Sequence, residues 1–246
     1  MTPNAAREAS HRDVFKTKAA IRLLIFDLDG TLIDSKKDLA LSVNAALRHM
    51  GRPSLDDETI YSYVGRGAPA LIARALGDGF SPEDIQQGLE YFLHYYWDHK
   101  LDNTTLYPGV RKALKRLANG HGSTKRVLAV LTNKPERVSR HILEELDLLG
   151  SFQYVYGGNS FESKKPDPVG VFSILQETRL TPQAAMIVGD SDVDIQTGRS
   201  AGVWTCGVSY GFGNLELDSN PPHLLVHSFP ELAEILSPAK RSSLPK

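Results

Sequence analysis

Hydrophobic residues in this chain form three short continuous runs, and the segments between them carry apolar residues at helical spacing. The runs cover Leu23–Phe26, Val127–Leu131 and Ala184–Val188. Runs of this length without polar alternation are typical of strands buried on both faces of a parallel sheet. Because helical patterns separate them, the sequence predicts an α/β fold with a doubly wound parallel sheet.

The helices of this core are predicted from apolar spacing and from the residues that start or end them. One follows Pro135, and its apolar positions continue to Leu149. A second is predicted to begin with Asp167 as the N-cap residue and Pro168 at the first helical position. A third covers the segment YPGVRKALKRLANG and is closed by Gly120.

The segment between Ser35 and Tyr107 has helical patterns and almost no strand signal. Four helices are predicted, over SKKDLALSVNAALRHMG, LDDETIYSYVG, APALIARALG and SPEDIQQGLEYFLHYYWDHK. The last begins with Ser81 as N-cap and Pro82 at the first position. It carries an apolar stripe that is interpreted as core rather than as a ligand cage; the stripe consists of Ile85, Leu89, Phe92 and Tyr96.

These patterns divide the chain into a core with an insertion. Residues 1–20 are predicted to be a flexible N-terminal tail, because they have mixed charges and no apolar segment of the secretory type. Residues 21–34 and 105–246 form the predicted α/β core. Residues 35–104 form a predicted helical cap.

Polar residues follow each apolar run at the point where the predicted strand ends. In chain order they are Asp27 and Asp29, Thr132 and Asn133, and Asp190 with Asp194. In open parallel sheets, ligands bind beyond the carboxyl ends of the strands. If the three runs are neighbouring strands, these side chains converge on one crevice.

A pocket with several carboxylates requires a cation, since the carboxylates otherwise repel one another. An all-oxygen site of this kind suits Mg²⁺. Calcium is disfavoured, because DSDVD lacks the glycine and the distal glutamate of an EF-hand loop. Next to a metal, an aspartate can attack phosphorus and a second carboxylate can act as acid and base. Lys165 could neutralise phosphoryl charge, and Gly30 lets the backbone approach phosphate closely.

Four segments together resemble the four motifs of the haloacid dehalogenase superfamily of phosphatases. They are DLDGTLIDS, LTNKP, KKPDP and VGDSDVDI, in this order, and the resemblance extends over nearly all of the chain after residue 20. The resemblance implies that Asp27 is the nucleophile that becomes an aspartyl-phosphate and that Asp29 is the general acid and base. It implies that Thr132 and Asn133 bind the phosphate and that Lys165 neutralises its charge. The Mg²⁺ ligands it implies are Asp27, the Asp29 backbone carbonyl, Asp190 and Asp194, the last either directly or through water.

The helical insertion resembles the small cap domain of this superfamily, which closes over the site. The segment YVGRGAPALI and the tail around VSYGFGNLELDSN resemble the phosphoglycolate phosphatase subfamily. This resemblance implies hydrolysis of 2-phosphoglycolate to glycolate and phosphate. Because that substrate has a carboxylate, Arg66 is a candidate to bind it, and the alternative is a solvated arginine beside a glycine turn.

Other functions remain open at this level. A sugar-phosphate phosphatase or phosphomutase, or a pyrophosphatase, would share the core and a similar cap. A dehalogenase or a phosphonate hydrolase is disfavoured by Asp29, since both are expected to lack that second aspartate. A non-catalytic regulatory binding module is also conceivable from the fold alone, but every catalytic motif residue is present.

Composition narrows the partners and the compartment. A formal net charge of −1 gives no sign of general binding to nucleic acid or to a membrane surface. No apolar run approaches the roughly 20 residues that span a bilayer. The only cysteine, Cys206, excludes an internal disulfide framework. We expect a cytoplasmic monomer or homodimer whose partner is a small phosphorylated metabolite.

Overall fold

The computed structural model describes residues 20–119 and 125–237, and its centre is a sheet of six strands in which every neighbouring pair is parallel. The strands are β1 (Leu23–Phe26), β4 (Val127–Leu131), β5 (Tyr154–Tyr156), β6 (Ala185–Gly189), β7 (Trp204–Val208) and β8 (Leu224–Val226). Their spatial order is β5-β4-β1-β6-β7-β8. Two short strands, β2 (Ile33–Asp34) and β3 (Thr105–Leu106), pair antiparallel beside it.

Nine helices are described within these residues. They are α1 (Lys36–His49), α2 (Asp57–Tyr61), α3 (Ala68–Leu76), α4 (Pro82–His99), α5 (Val110–Ala118), α6 (Glu136–Glu145), α7 (Val169–Thr178), α8 (Asp192–Ser200) and α9 (Phe229–Leu236). Helices α1 to α4 form the insertion between β2 and β3. No helix in the described ranges is both long and apolar enough to cross a bilayer.

The continuous apolar runs are explained by burial on both faces of the sheet. Successive side chains of a strand point to opposite faces. Leu24 and Phe26 of β1 belong to a hydrophobic cluster that also contains residues of α5 and α9. Leu23 and Ile25 belong to a second cluster, which is completed by residues of α7. The predicted doubly wound α/β fold is therefore confirmed.

The insertion meets the core where β2 and β3 pair, at Asp34 and Thr105. Next to this pair, the buried carboxylate of Asp38 in α1 accepts hydrogen bonds from the backbone and side chains of Asn103 and Thr104. The two connections between insertion and core are thus joined to each other. The division into core and cap at residues 34/35 and 104/105 stays a prediction.

Several element ends differ from the predictions. β6 begins at Ala185 rather than at residue 184, which lies in a short 3-10 turn. Helix α7 begins at Val169, so Pro168 is its N-cap; Asp167 still accepts a hydrogen bond from the Val169 amide, at 2.9 Å. Helix α6 ends at Glu145, before the last two predicted apolar positions. The predicted N-terminal tail (apart from its last residue) and Gly120 lie outside the described residues.

Candidate active site

The sheet order places the carboxyl ends of β4, β1 and β6 side by side. Phe26, the last residue of β1, is paired with Val130 on one side and Val188 on the other. The Asp27 amide continues the ladder with a hydrogen bond of 2.9 Å to the Val188 carbonyl. Asp27, Thr132 and Asp190 therefore follow three adjacent strands at one edge, as the strand-end pattern predicted.

Three carboxylates meet at this edge together with one lysine. Asp27, Asp190 and Asp194 each offer an oxygen, and these oxygens lie within 4.8 Å of one another. Lys165 Nζ lies 3.0 Å from Asp27 Oδ1 and 2.6 Å from Asp194 Oδ1. Asp194 also accepts a 2.6 Å hydrogen bond from the Ser191 hydroxyl, which fixes its orientation. Three carboxylates with one ammonium leave an excess of negative charge, and carboxylate oxygens are ligands for a hard divalent cation.

Burial perturbs the charges of this cluster. Desolvation raises the pKa of Asp27 to about 6, although Lys165 acts in the opposite direction. Desolvation, with the neighbouring charges of Asp194 and Asp27, raises the pKa of Asp190 well above its usual value. Burial alone would lower the pKa of Lys165, but Asp194 and Asp27 raise it, so this lysine stays charged. Perturbed groups collected in a cleft are characteristic of functional sites.

Asp190 is held by a loop that was not predicted to belong to the site. The amides of Phe212 and Gly213 donate hydrogen bonds of 3.1 and 2.6 Å to Asp190 Oδ2. Gly30 packs against the same carboxylate at a φ of 78°, and a Cβ there would overlap it. The segment YGFGN was quoted only as part of the subfamily resemblance. Its two glycines are the sequence signal that could have indicated a loop lying close to Asp190.

Asp29 lies apart from the acidic cluster. Its carboxylate contacts Lys134 Nζ at 2.9 and 2.8 Å and accepts a hydrogen bond of 2.5 Å from the Ser35 hydroxyl. This placement leaves only its backbone for the predicted metal contact. Lys134 was not among the predicted site residues, although it belongs to the quoted segment LTNKP.

The two predicted phosphate ligands differ in their surroundings. Thr132 is buried at the end of β4, and its hydroxyl accepts a 3.3 Å hydrogen bond from the Lys134 amide. The Asn133 side-chain amide donates 2.9 Å hydrogen bonds to the carbonyls of Gly65 in the insertion and Lys165 in the core. Asn133 thus links insertion and core, and its amide hydrogens are directed at carbonyls.

A cavity of about 60 Å³ lies between the insertion and the strand ends. Phe92 and Tyr96 line it, so these members of the aromatic stripe serve the cavity as well as the core. The side chain of Arg66 is exposed and is not part of the lining.

The geometry agrees with the family that the motifs resemble. Residues 24–208 match the model of the family described as haloacid dehalogenase-like hydrolase. The chain belongs to this family. As a haloacid dehalogenase-like hydrolase, it carries its acidic cluster on the first and last of the motif segments.

Curated relatives of this hydrolase are named phosphoglycolate phosphatase. One, from Pseudomonas savastanoi pv. phaseolicola, is 39% identical over 78% of this chain and 71% of its own length. Another, from Chromobacterium violaceum, is 36% identical over 88% of this chain and 96% of its own length. A crystal structure titled as a predicted phosphoglycolate phosphatase from Haemophilus somnus 129PT superposes with a TM-score of 0.81, at 30% identity, over 88% of this chain and 98% of that one. These matches confirm the predicted resemblance and the predicted enzyme class, a phosphatase.

Proposed function

We propose that this hydrolase uses Mg²⁺ to hydrolyse 2-phosphoglycolate to glycolate and phosphate through an aspartyl-phosphate on Asp27. The observation that carries the proposal is the cluster of Asp27, Asp190 and Asp194 with Lys165 between two of them. The names of the curated relatives support the substrate.

The donor set fits a divalent cation with oxygen ligands. Asp190, Asp194 and Asp27 would hold Mg²⁺, with the Asp29 carbonyl as a further candidate ligand. Bound there, the ion offsets the repulsion between the Asp27 carboxylate and a phosphate group. The buried Lys165 ammonium supplies positive charge from the protein itself.

In the proposed reaction, an oxygen of Asp27 forms a bond to phosphorus while the bond from phosphorus to the ester oxygen breaks. The Asp29 carboxylate, which is paired with Lys134, would first take up a proton from solvent and then give it to that departing oxygen. It then accepts a proton from the water that attacks the acyl-phosphate, which releases phosphate and regenerates Asp27. Lys165 and the Thr132 hydroxyl are placed to stabilise the phosphoryl oxygens.

The enclosure of the site supports a small substrate. The insertion covers the strand ends, and the Asn133 amide bonds to the Gly65 carbonyl across the cavity. A site covered in this way would be open to a small metabolite and closed to a protein or a long nucleic acid. Closure of a cap also removes water that would compete with the reaction.

The test is phosphate release from 2-phosphoglycolate, sugar phosphates, nucleotides and pyrophosphate, each with and without Mg²⁺, with Asp27→Asn as the blank. We expect kcat/KM for 2-phosphoglycolate to exceed the others and to require the metal. A higher value for a sugar phosphate or for pyrophosphate would overturn the substrate and leave the aspartyl-phosphate chemistry. Activity that persists in a chelator would contradict the metal requirement.

A further inference from the structure

A second buried lysine, Lys134, lies inside the cavity against the carboxylate proposed as acid and base. Its side chain is 5% exposed, and Nζ lies 2.9 and 2.8 Å from the two oxygens of Asp29. Burial alone would lower the pKa of Lys134, but the Asp29 carboxylate raises it above its usual value, so the ammonium is charged. The proposed reaction assigns no role to the positive charge of Lys134.

The cavity has few cations to offer a substrate. Among the described residues that line it, Lys134 is the only cationic one. Lys165 is already engaged by Asp27 and Asp194. Arg66 is exposed and outside the lining. An anionic group enclosed here, other than the phosphate, therefore has Lys134 as its available partner.

We propose that Lys134 binds the carboxylate of the substrate and so selects phosphate esters with an anionic leaving group. The assignment rests on the proposed function, because it takes Asp29 as the group that protonates the ester oxygen. A hydrogen bond of about 2.7 Å would join Asp29 to that oxygen. In 2-phosphoglycolate only one methylene separates the ester oxygen from the carboxylate. A cation 2.8 Å from Asp29 is thus within reach of that carboxylate.

Lys134 can make this contact without leaving Asp29. An ammonium has three N–H donors, and the two oxygens of Asp29 take two of them. The Tyr96 ring, with its centroid 4.6 Å from Nζ, adds a cation–π contact and brings no second charge. The third donor faces Tyr96, whose side chain also interacts with the ammonium, and we expect a substrate oxygen to replace that contact.

The same geometry makes substrate selection depend on the position of the cap. Lys134 follows Asn133, whose amide bonds to the Gly65 carbonyl of the insertion. Tyr96, which faces the ammonium, belongs to helix α4 of the insertion. The proposed carboxylate site is therefore complete only where core and insertion meet.

The experiment compares 2-phosphoglycolate with ethyl phosphate, which has the same ester linkage and a methyl group in place of the carboxylate. Lys134→Met removes the charge and keeps an unbranched side chain. Charge-assisted hydrogen bonds are strong enough that we expect kcat/KM for 2-phosphoglycolate to fall roughly tenfold to a hundredfold. For ethyl phosphate we expect a fall of less than about threefold, so that the preference between the two esters collapses.

Three further variants serve as comparisons. Lys112→Met makes the same substitution at an exposed lysine of α5 that does not line the cavity, and it should leave both values unchanged. Arg66→Met tests the cation predicted from sequence and should leave the preference intact. Lys134→Arg keeps the charge and should retain most of the preference. If thermal melting shows that Lys134→Met does not fold, Lys134→Gln is measured in its place, and the same collapse of the preference between the two esters is expected.

An equal loss for both esters in Lys134→Met would mean that Lys134 only positions Asp29, and would overturn the assignment. Collapse of the preference in Arg66→Met instead would assign the carboxylate to Arg66. If the wild-type enzyme hydrolyses ethyl phosphate as well as 2-phosphoglycolate, the proposed substrate fails together with this assignment. If the wild-type enzyme does prefer 2-phosphoglycolate, the proposed substrate stands, and the results for Lys134→Met and Arg66→Met then decide which residue binds its carboxylate.

Discussion

At Asp27, the environment that suits catalysis opposes stability. In the folded protein the pKa of this carboxyl is about 6, above its ordinary value of 3.8, chiefly because of burial. Because the pKa is higher in the folded than in the unfolded protein, ionisation of Asp27 lowers the unfolding free energy as the pH rises from 3.8 to about 6. We expect Asp27→Asn to abolish turnover and, without metal at pH 7, to raise the unfolding free energy by about 1–2 kcal/mol. Urea denaturation in a chelator measures this, and a clearly destabilised variant would contradict it.

Lys165 should behave in the opposite way. Its ammonium lies between Asp27 and Asp194, and its loss leaves three neighbouring carboxylates without their counter-charge. Breaking a buried ion pair from one side typically costs about 3–5 kcal/mol. We therefore expect Lys165→Ala to lose activity and several kcal/mol of stability in the metal-free protein.

The adjacent Lys164 is the matched control for that variant, because its side chain is exposed. Surface substitutions usually change stability by less than about 0.5 kcal/mol. If Lys164→Ala and Lys165→Ala showed equal losses in urea denaturation, the assigned difference between the two lysines would be wrong.

Sequence reasoning at the residue level reached the side chains that lie directly on strand ends. Asp27 and Asp190 follow adjacent strands, so the sheet itself brings them together. Lys134 was missed because its partner, Asp29, lies 105 positions earlier in the chain. Spacing shows where a strand ends, whereas the direction of a long side chain beyond that end depends on packing.

Among elements, strands β1 and β4 were predicted with their observed limits, because burial on both faces leaves an unbroken apolar run. Helix α2 was less well predicted: it covers only Asp57–Tyr61 of the segment LDDETIYSYVG. Beyond it, the chain turns through Tyr63 and Val64 toward the cavity. The aromatic stripe of α4 was interpreted as core only, because periodicity cannot distinguish a cavity wall from a filled interior.

Helix α1 offers a test of how the insertion is attached. The Asp38 carboxylate is buried and accepts five hydrogen bonds of 2.7–3.0 Å from Asn103 and Thr104, on the returning connection. Asp38→Ala leaves these donors without their partner, so we expect a loss of about 2–4 kcal/mol and faster proteolysis near residues 100–106. Asp57→Ala, which breaks the exposed pair with Lys37, is the control and should cost less than about 1 kcal/mol. Equal losses in the two variants would contradict the joint proposed here.

In the whole molecule, several contacts among the described residues connect the insertion to the core, and three of them bear on closure of the cap. The Asn133 amide reaches the Gly65 carbonyl, and Lys134 faces the Tyr96 ring. Farther out, Trp97 of α4 packs against α6. The first two involve groups at the proposed site, whereas Trp97 does not line the cavity. Trp97 therefore allows closure to be changed without altering the chemistry.

The Trp97 indole contacts two side chains of α6, with Arg137 at 4.7 Å and the His141 ring at 5.0 Å from its ring. Contacts of the cation–π type contribute about 0.5–2 kcal/mol. If substrate is processed only under a closed cap, Trp97→Ala should lower kcat/KM by roughly twofold to thirtyfold.

Tyr95→Ala, on the same helix, removes an aromatic ring that stacks on His99 within the insertion and should leave kcat/KM nearly unchanged. Hydrogen exchange of the insertion, with and without a phosphate analogue, gives a second measurement: Trp97→Ala should raise exchange in the unliganded protein. Wild-type kinetics and exchange in Trp97→Ala would show that this contact plays no part in closure. Opening of the cap exposes backbone amides to solvent and so raises their exchange. If Trp97→Ala loses activity without a rise in exchange, the substitution acts on the site itself and not on closure of the cap.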